Sequence, residues 1–182
     1  MRQRRRSLSP QQQNIAAKNL YRRLVTSSLF RFSKRIAFTL PRDGEISPAL
    51  LMAAALNRGK ACYLPVMNRF GKARLSFRRW QPGQGLTQGA YAIPEPRLGK
   101  LCARRSLSLV LLPLVAFDTE GNRLGMGKGF YDHSFAFLLK SQGHRPVLLG
   151  MAHECQKVET LQVTSWDVPL KGIVTDQHWY GR

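Results

Sequence analysis

A strand–helix–strand unit in the first third of this 182-residue chain constrains its fold more than any other feature. The apolar stretch Arg35–Leu40 predicts a strand, and Lys60–Val66 predicts a second one. Between them an Ala- and Leu-rich helix begins at about Ser47, and Gly59 suits the position just past its end. Because the connecting segments are short, the two strands should lie parallel and be joined by a right-handed crossover.

The N-terminal segment predicts a helix over about residues 10–25. Ser9 and Gln12 have the spacing of a capping box, and Pro10 suits the first helical position. An Arg-rich opening with no acidic residue before Asp43 is also typical of a mitochondrial transit peptide. The helix signals favour a structural first helix over that alternative.

The rest of the chain continues the alternation of strands and helices. Residues 81–106 are rich in Gly and Pro, and they predict a long irregular excursion over one edge of the sheet. The other predicted elements are strands at Arg74–Trp80, Leu107–Leu112, Pro146–Ala152 and Ile173–Thr175, and a helix over about Tyr131–Lys140. The pattern predicts one α/β domain over residues 1–182, with helices on the faces of a mainly parallel sheet.

The charge balance implies an anionic partner. The chain has 29 Lys and Arg against 10 Asp and Glu, for a net charge of +19. This imbalance fits a nucleotide, a nucleic acid, an acidic membrane or a polyanionic substrate without choosing among them. No apolar run approaches the roughly 18 residues that span a bilayer. The three cysteines are far apart in sequence, which fits idle thiols in a reducing, cytoplasmic compartment.

The string RLGMGKGFYD, Arg123–Asp132, is the strongest chemical signal in the chain. It lies between a buried strand and a helix, where open α/β sheets bind ligands. Its glycines stand at alternate positions and would let backbone N–H groups approach phosphate oxygens: Gly125, Gly127 and Gly129. The glycine spacing is neither that of a P-loop nor that of a dinucleotide fold, and by itself it equally fits a surface turn.

The charged residues of the string favour the phosphate interpretation. Arg123 and Lys128 add cations beside the glycines, and Asp132 can hold Mg²⁺ against the same phosphates. Two aromatic residues, Phe130 and Tyr131, precede the carboxylate. The combination of strand exit, cations, glycines, aromatics and carboxylate is far more specific than the glycines alone.

The full string resembles the signature of the 5-formyltetrahydrofolate cyclo-ligase family, in which GxGxG is followed by two aromatic residues and Asp. Other segments are similar to family segments and follow in family order: RQRRRSLSPQQQ, DGEI at Asp43–Ile46, LPLVAFD, and SWDVPL at Ser165–Leu170. The resemblance implies a three-layer α/β sandwich. It also implies a ligase that uses ATP and Mg²⁺ to convert 5-formyltetrahydrofolate into 5,10-methenyltetrahydrofolate, ADP and phosphate. A monomer acting on folate, including its polyglutamylated forms, is expected.

The resemblance assigns roles to individual residues. The catalytic residues would be Lys128, Arg123 and Tyr131. ATP would be bound by Arg123, Leu124, Gly125, Met126, Gly127, Lys128, Gly129, Phe130 and Tyr131. The folate would contact Leu40, Glu45, Met126, Gly127, Lys128, Gly129 and Phe130. The metal would be bound by Asp132 and Asp167.

Two of these carboxylates have other interpretations. Asp167 equally suits a turn or a helix cap, and Glu45 suits the first turn of the helix that follows it. A carboxylate at Glu45 would nevertheless fit the pterin, whose N–H groups can pair with a two-pronged acceptor. Phe130 departs from the family, which usually has Tyr there, and so the ring is kept without its hydroxyl.

Two further functions stay open at this point. A nucleic-acid-binding protein fits the net charge, although the basic residues are spread along the chain rather than interleaved with aromatics, so no obligate nucleic acid is expected. A weakly catalytic, nucleotide-binding family member is the other alternative. The reason is that the family usually has a Lys-x-x-x-Arg element upstream of the position of Arg2, and this sequence does not contain it. We therefore expect the natural chain to start before Met1, unless the arginines at 2, 4, 5 and 6 substitute for that pair, since Arg2 and Arg6 have the same spacing.

Overall fold

An eight-stranded sheet forms the centre of the computed structural model, which describes residues 1–68, 73–89, 93–140 and 146–181. The helices in these ranges are α1 (Arg2–Arg6), α2 (Pro10–Val25), α3 (Ser28–Phe32), α4 (Ala49–Asn57) and α5 (Phe130–Phe135). Short 3₁₀ turns lie at Arg104–Ser106, Ala136–Leu139 and Glu154–Gln156. The strands are β1 (Arg35–Ala37), β2 (Ala61–Met67), β3 (Leu75–Arg79), β4 (Leu86–Gln88), β5 (Pro94–Pro96), β6 (Leu101–Cys102), β7 (Leu109–Pro113), β8 (Ala116–Phe117), β9 (Arg123–Leu124), β10 (Val147–Met151), β11 (Gly172–Val174) and β12 (Trp179–Gly181).

The strands of the main sheet follow the order β12-β11-β10-β7-β1-β2-β3-β6. The five central strands, β11 to β2, are parallel, and antiparallel strands close both edges. β1 pairs with β2 with Arg35 opposite Ala61, which confirms the parallel arrangement expected for these two strands. The mainly parallel α/β sheet predicted from the alternation of elements is therefore confirmed.

Alternate residues of the central strands are buried on opposite faces, which makes the molecule three-layered. In β7, Leu109 and Leu111 pack in one core with the helices α2 to α4, and Val110 and Leu112 pack in a second core with Phe135 of α5. All five of these side chains are at most 1% exposed. A continuous apolar run is the sequence pattern of a strand covered on both faces.

The predicted helix boundaries depend on capping chemistry. The Ser9 hydroxyl accepts the backbone N–H of Gln12 at 3.2 Å, and the Gln12 side chain accepts the Ser9 N–H at 2.8 Å. This reciprocal pair confirms the predicted capping box of α2. Gly59 follows α4 with φ of +68°, a conformation that favours glycine at a helix end.

The prediction was wrong for residues 81–106, which are more regular than their Gly and Pro content indicated. β4 and β5 form a two-stranded ribbon, and β6 extends the edge of the main sheet beside β3. Prolines are tolerated in β5 because it is an edge strand, where a missing N–H leaves no ladder bond unmade.

Elsewhere, α5 is shorter than predicted and continues as the 3₁₀ turn Ala136–Leu139. In the described part of the chain, no helix has both the length and the apolar content to cross a membrane.

Candidate active site

The candidate site lies where the parallel strands end. The glycine-rich string starts in β9, which pairs with β8 just beyond the end of β7, and it ends in α5. The loop between β1 and α4, residues 38–48, contains the predicted folate contacts Leu40 and Glu45, and we name it the folate loop. It lies beside the same strand ends. The topology therefore brings the predicted ATP and folate residues together at the carboxyl ends of the central strands, as expected for open α/β folds.

The glycine loop presents its backbone to solvent. Gly127 has φ of +79°, and Gly129, which precedes α5 as its N-cap, has φ of +59°. A Cβ atom built at Gly125 or Gly127 would meet no atom of the described structure within 4 Å. The glycines at 127 and 129 thus serve the backbone conformation, which costs other residues about 1–2 kcal/mol, and the open side of the loop leaves room for a ligand.

Side chains of the loop are exposed or half-buried. Leu124 and Met126 are 50% and 58% exposed, and Lys128 is also exposed. Within the described ranges Lys128 makes no hydrogen bond or ion pair. Phe130 and Tyr131 are half-buried and pack against the second core. Lys128 therefore has a free ammonium group beside an open backbone.

Arg123 behaves differently, because its side chain is only 9% exposed. Its guanidinium forms an ion pair with Asp132 and donates to the Val168 carbonyl at 2.5 Å. The Val168 N–H in turn donates to Asp132 Oδ1 at 3.1 Å. This closed set of contacts fixes the glycine loop, the start of α5 and the segment 165–170 relative to one another.

Asp132 and Asp167 lie on neighbouring segments. Asp167 directly precedes Val168, and the Val168 N–H donates to Asp132. Asp167 Oδ2 accepts the Thr164 N–H at 2.8 Å and the Thr164 hydroxyl at 2.7 Å, so its turn role is present. Among the described residues no group of three or more potential metal ligands occurs. Mg²⁺ bound with ATP usually needs only one or two carboxylates, the remaining ligands being phosphates and waters. Asp132 Oδ2 and Asp167 Oδ1 accept no hydrogen bond among the described residues, which leaves one oxygen of each carboxylate for such an ion.

Tyr131 connects the glycine string to the folate loop. Burial, and then the charge of Glu45, raise the pKa of its hydroxyl far above the usual value for tyrosine, against the opposing influence of a hydrogen bond with Thr39. The hydroxyl consequently stays protonated at neutral pH. Tyr131 can donate a hydrogen bond but cannot act there as a base.

Glu45 is held in place from two sides. Its Oε2 accepts the backbone N–H of Arg42 at 3.1 Å, and its Oε1 lies 3.6 Å from Arg5 Nη2. Burial raises the pKa of this carboxyl above its ordinary value. Because α4 begins only at Ala49, the interpretation of Glu45 as a first-turn helix carboxylate is wrong.

Comparisons with known proteins show the family of the chain. The sequence profile of the 5-formyltetrahydrofolate cyclo-ligase family matches residues 1–176. The chain belongs to this family. The 5-formyltetrahydrofolate cyclo-ligase of Escherichia coli K12 is 37% identical over 177 residues, which cover 96% of each chain. That of Haemophilus influenzae is 37% identical over 172 residues, covering 93% of this chain and 90% of its own.

Two solved structures share the fold. The 5,10-methenyltetrahydrofolate synthetase of Aquifex aeolicus superposes with a TM-score of 0.81 at 29% identity, over 99% of this chain and 88% of its own. The synthetase of Mycoplasma pneumoniae gives a TM-score of 0.73 at 22% identity, over 97% and 94% of the two chains. The three-layer arrangement that the family resemblance implied is therefore confirmed.

The family resemblance did not point to Arg5, which the structure places at the centre of the folate loop. Arg5 is completely buried, although it lies in an arginine-rich helix. It donates to the Asp43 carbonyl at 2.8 Å, to Asp43 Oδ2 at 3.2 Å and to the Leu114 carbonyl at 3.1 Å. No sequence signal separates Arg5 from its neighbours, because its acceptors are 38 and 109 positions away.

The other arginines of α1 also bind Asp43. Arg6 forms an ion pair with one carboxylate oxygen, and Arg2 Nε lies 2.7 Å from the other. The arginines, Arg6 first, hold the pKa of Asp43 well below its usual range. Asp43 itself has φ of +52°, a conformation rare for a residue with a side chain. Arg2 and Arg6, which were considered as a phosphate-binding pair, therefore engage a protein carboxylate in this structure.

Proposed function

We propose that this chain catalyses the ATP-dependent cyclisation of 5-formyltetrahydrofolate to 5,10-methenyltetrahydrofolate, with release of ADP and phosphate. The observation that carries the proposal is the open glycine loop next to the fixed Arg123–Asp132 pair, with Lys128 in it and without a hydrogen-bond or ion-pair partner among the described residues. The family membership of the chain supports the same reaction. The enzyme acts as a cytoplasmic monomer, and polyglutamylated folates are among its substrates.

ATP binds along the residues from Arg123 to Tyr131. The backbone N–H groups of the loop donate to phosphate oxygens, and the Lys128 ammonium neutralises their charge. Arg123 is too buried and too fully paired to move, so it acts as a fixed positive charge behind the loop. Magnesium, when bound to Asp132 and Asp167, supplies further neutralisation of the phosphate charge.

The reaction needs positioning more than it needs a nucleophile on the protein. The formyl oxygen of the folate attacks the γ-phosphorus of ATP, and the bond to ADP breaks. N10 of the folate then attacks the formyl carbon, the bond to the phosphate oxygen breaks, and N10 loses its proton. Cations that stabilise the transferring phosphoryl group lower the barrier to the first step. In this arrangement Lys128 supplies the mobile cation, and Tyr131 supplies a hydrogen-bond donor.

The folate binds between the glycine loop and Glu45. The carboxylate of Glu45 accepts hydrogen bonds from the pterin N–H groups, and Leu40 lies on the same loop. Met126 and Trp166 are 58% and 67% exposed on the two segments that the Arg123–Asp132 pair joins, and they offer apolar surface to a ring. Glu45 is already held by Arg42 and Arg5, so little ordering is required when the ligand arrives.

Glu45→Gln should weaken folate binding about 10- to 100-fold and leave ATP binding nearly unchanged. The change keeps the size of the side chain but removes a charged acceptor, which is worth about 1.5–3 kcal/mol. Separate binding titrations with 5-formyltetrahydrofolate and with ATP measure the two effects. Glu159→Gln, at an exposed carboxylate, is the matched control. Equal losses for both ligands would show that the substitution damages the loop rather than the folate site.

The raised pKa of Glu45 gives this prediction a pH signature. A carboxyl whose pKa is raised loses its charge at a higher pH than an ordinary glutamate as the solution is acidified. The folate affinity of the unaltered enzyme should therefore decline on acidification toward that of the Gln variant. The affinity of the variant should change much less over the same interval.

The proposed reaction has a direct spectroscopic test. Methenyltetrahydrofolate absorbs in the near ultraviolet, so its formation can be followed continuously. The signal should appear only when ATP and Mg²⁺ are both present, and a chelator should stop it. If ATP binds but no absorbing product forms, the chain is a nucleotide-binding relative without this activity, and the proposal is wrong.

A further inference from the structure

The charges of this molecule are segregated between the two ends of its parallel strands. Nine of the ten carboxylates follow the carboxyl ends of the strands, on the side of the candidate active site; Glu95, in β5, is the exception. The opposite end, where the parallel strands begin, has basic residues and no carboxylate in the segments that lead into β1, β2 and β7. The positive charge at this second end is therefore not compensated by carboxylates in these segments.

We define the basic rim as six residues at this end: Arg31, Lys34, Arg35, Arg58, Lys60 and Arg105. Strand pairing makes their segments adjacent, since the Ala61 N–H donates to the Lys34 carbonyl at 2.9 Å and Arg35 Nε donates to the Ser106 carbonyl at 2.5 Å. Residues that are far apart in sequence thus form one surface. The sequence argument against a basic stripe does not hold for this part of the fold.

Three cations of the basic rim, Arg35, Arg58 and Lys60, donate to backbone carbonyls, and no rim cation pairs with a carboxylate among the described residues. Lys60 Nζ donates to the Arg31 and Ser33 carbonyls at 2.7 and 2.8 Å, and Arg58 Nη1 donates to the Val25 carbonyl at 3.1 Å. Burial, and then the charge of Arg58, lower the pKa of Lys60. Ion pairs in the described structure involve other residues only. The Arg105 guanidinium lies 4.1 Å from the ring centroid of Phe137. No carboxylate of the described structure therefore neutralises the charge of the rim.

A cleft and an exposed aromatic ring accompany these cations. The cleft has a volume of about 470 Å³ and is lined by Arg31, Arg58 and Lys60 together with Val25 and Thr26. Phe32, at the end of α3, is 79% exposed, and the Arg31 guanidinium lies 5.9 Å from its ring centroid. A cationic groove beside an aromatic platform is the combination by which proteins bind single-stranded nucleic acids.

We propose that the basic rim binds single-stranded nucleic acid, with backbone phosphates on its cations and a base stacked on Phe32. Four of its six residues are arginines, whose planar guanidinium groups pair with phosphate oxygens through two hydrogen bonds. A membrane surface fits less well, because α3 has five residues and buries Phe30, so it offers little apolar area to lipid. The rim lies at the opposite end of the sheet from the candidate active site, and nucleic-acid binding there is additional to the cyclo-ligase activity.

The test uses the full chain and a fluorescent single-stranded RNA of about 12 nucleotides, a typical site length. Fluorescence anisotropy should show binding whose affinity falls with added salt. Arg31→Glu combined with Lys34→Glu should weaken binding more than tenfold, and these side chains make no hydrogen bond among the described residues. Phe32→Ala should weaken it about 5- to 100-fold, the loss expected for one stacked base, without changing the salt dependence.

Control measurements decide between this surface and general polyanion binding. Lys18→Glu combined with Arg97→Glu changes the net charge equally at exposed positions outside the rim and should have little effect. Cyclisation activity should be unchanged in all variants, which also shows that they fold. Equal losses in the control variant would overturn the proposal. So would an unaltered affinity in Phe32→Ala, equal binding of inorganic polyphosphate, or stronger binding to anionic lipid vesicles than to RNA.

Discussion

Lys128→Ala is expected to lower kcat about 100- to 1,000-fold, the range typical of removing one group that stabilises charge in a transition state. Lys128 stands in a glycine loop, is exposed, and makes no hydrogen bond or ion pair within the described ranges. The folded protein therefore does not need its ammonium group, and the loss should fall on the phosphoryl-transfer step. Steady-state rates at saturating ATP and folate, followed by the absorbance of the product, measure it.

The midpoint temperature of thermal unfolding should show whether the variant loses activity through a catalytic defect or through destabilisation of the fold. Lys128→Ala should leave the midpoint unchanged, because no contact of the described structure is removed. Lys18→Ala, at an exposed lysine of α2, is the matched control and should keep full activity. Near-normal turnover of Lys128→Ala at saturating ATP would mean that this lysine does not serve the phosphates.

The glycine loop was predictable from the sequence because the residues that form it are consecutive. A positive φ at Gly127 and the carboxylate of Asp132 within α5 are local features, and local patterns determine them. The capping box of α2 was predictable for the same reason. In contrast, the donation from Arg123 to the Val168 carbonyl joins residues 45 positions apart, and only the folded chain shows that Arg123 is fixed rather than mobile.

The location of the surface that accounts for the net charge could also not be predicted without the fold. A value of +19 indicated an anionic partner but could not say where that partner binds. Strand topology separates the carboxylates from the basic rim, although neighbours in the rim, such as Lys34 and Lys60, are far apart in sequence. The structure therefore divides the positive charge of the chain between the candidate active site and the basic rim at the opposite end of the sheet.

Arg5→Leu should destabilise the protein by about 3–5 kcal/mol, the cost of breaking a buried charge pair from one side. The guanidinium of Arg5 is completely buried and satisfies the carbonyls of Asp43 and Leu114 as well as the Asp43 carboxylate. Leucine fills part of the volume but leaves those acceptors without donors. Urea unfolding followed by circular dichroism measures the change in the free energy of unfolding.

The same substitution should also raise KM for folate more than KM for ATP. Arg5 lies 3.6 Å from Glu45 and holds Asp43 in its positive-φ conformation, so its loss should release the loop that carries the folate acceptor. The glycine loop is fixed separately, through Arg123 and Asp132, and should keep its affinity for ATP. Arg4→Leu removes an exposed arginine from the same helix and should change neither stability nor KM. If Arg5→Leu behaves like Arg4→Leu, the buried guanidinium does not position the folate loop.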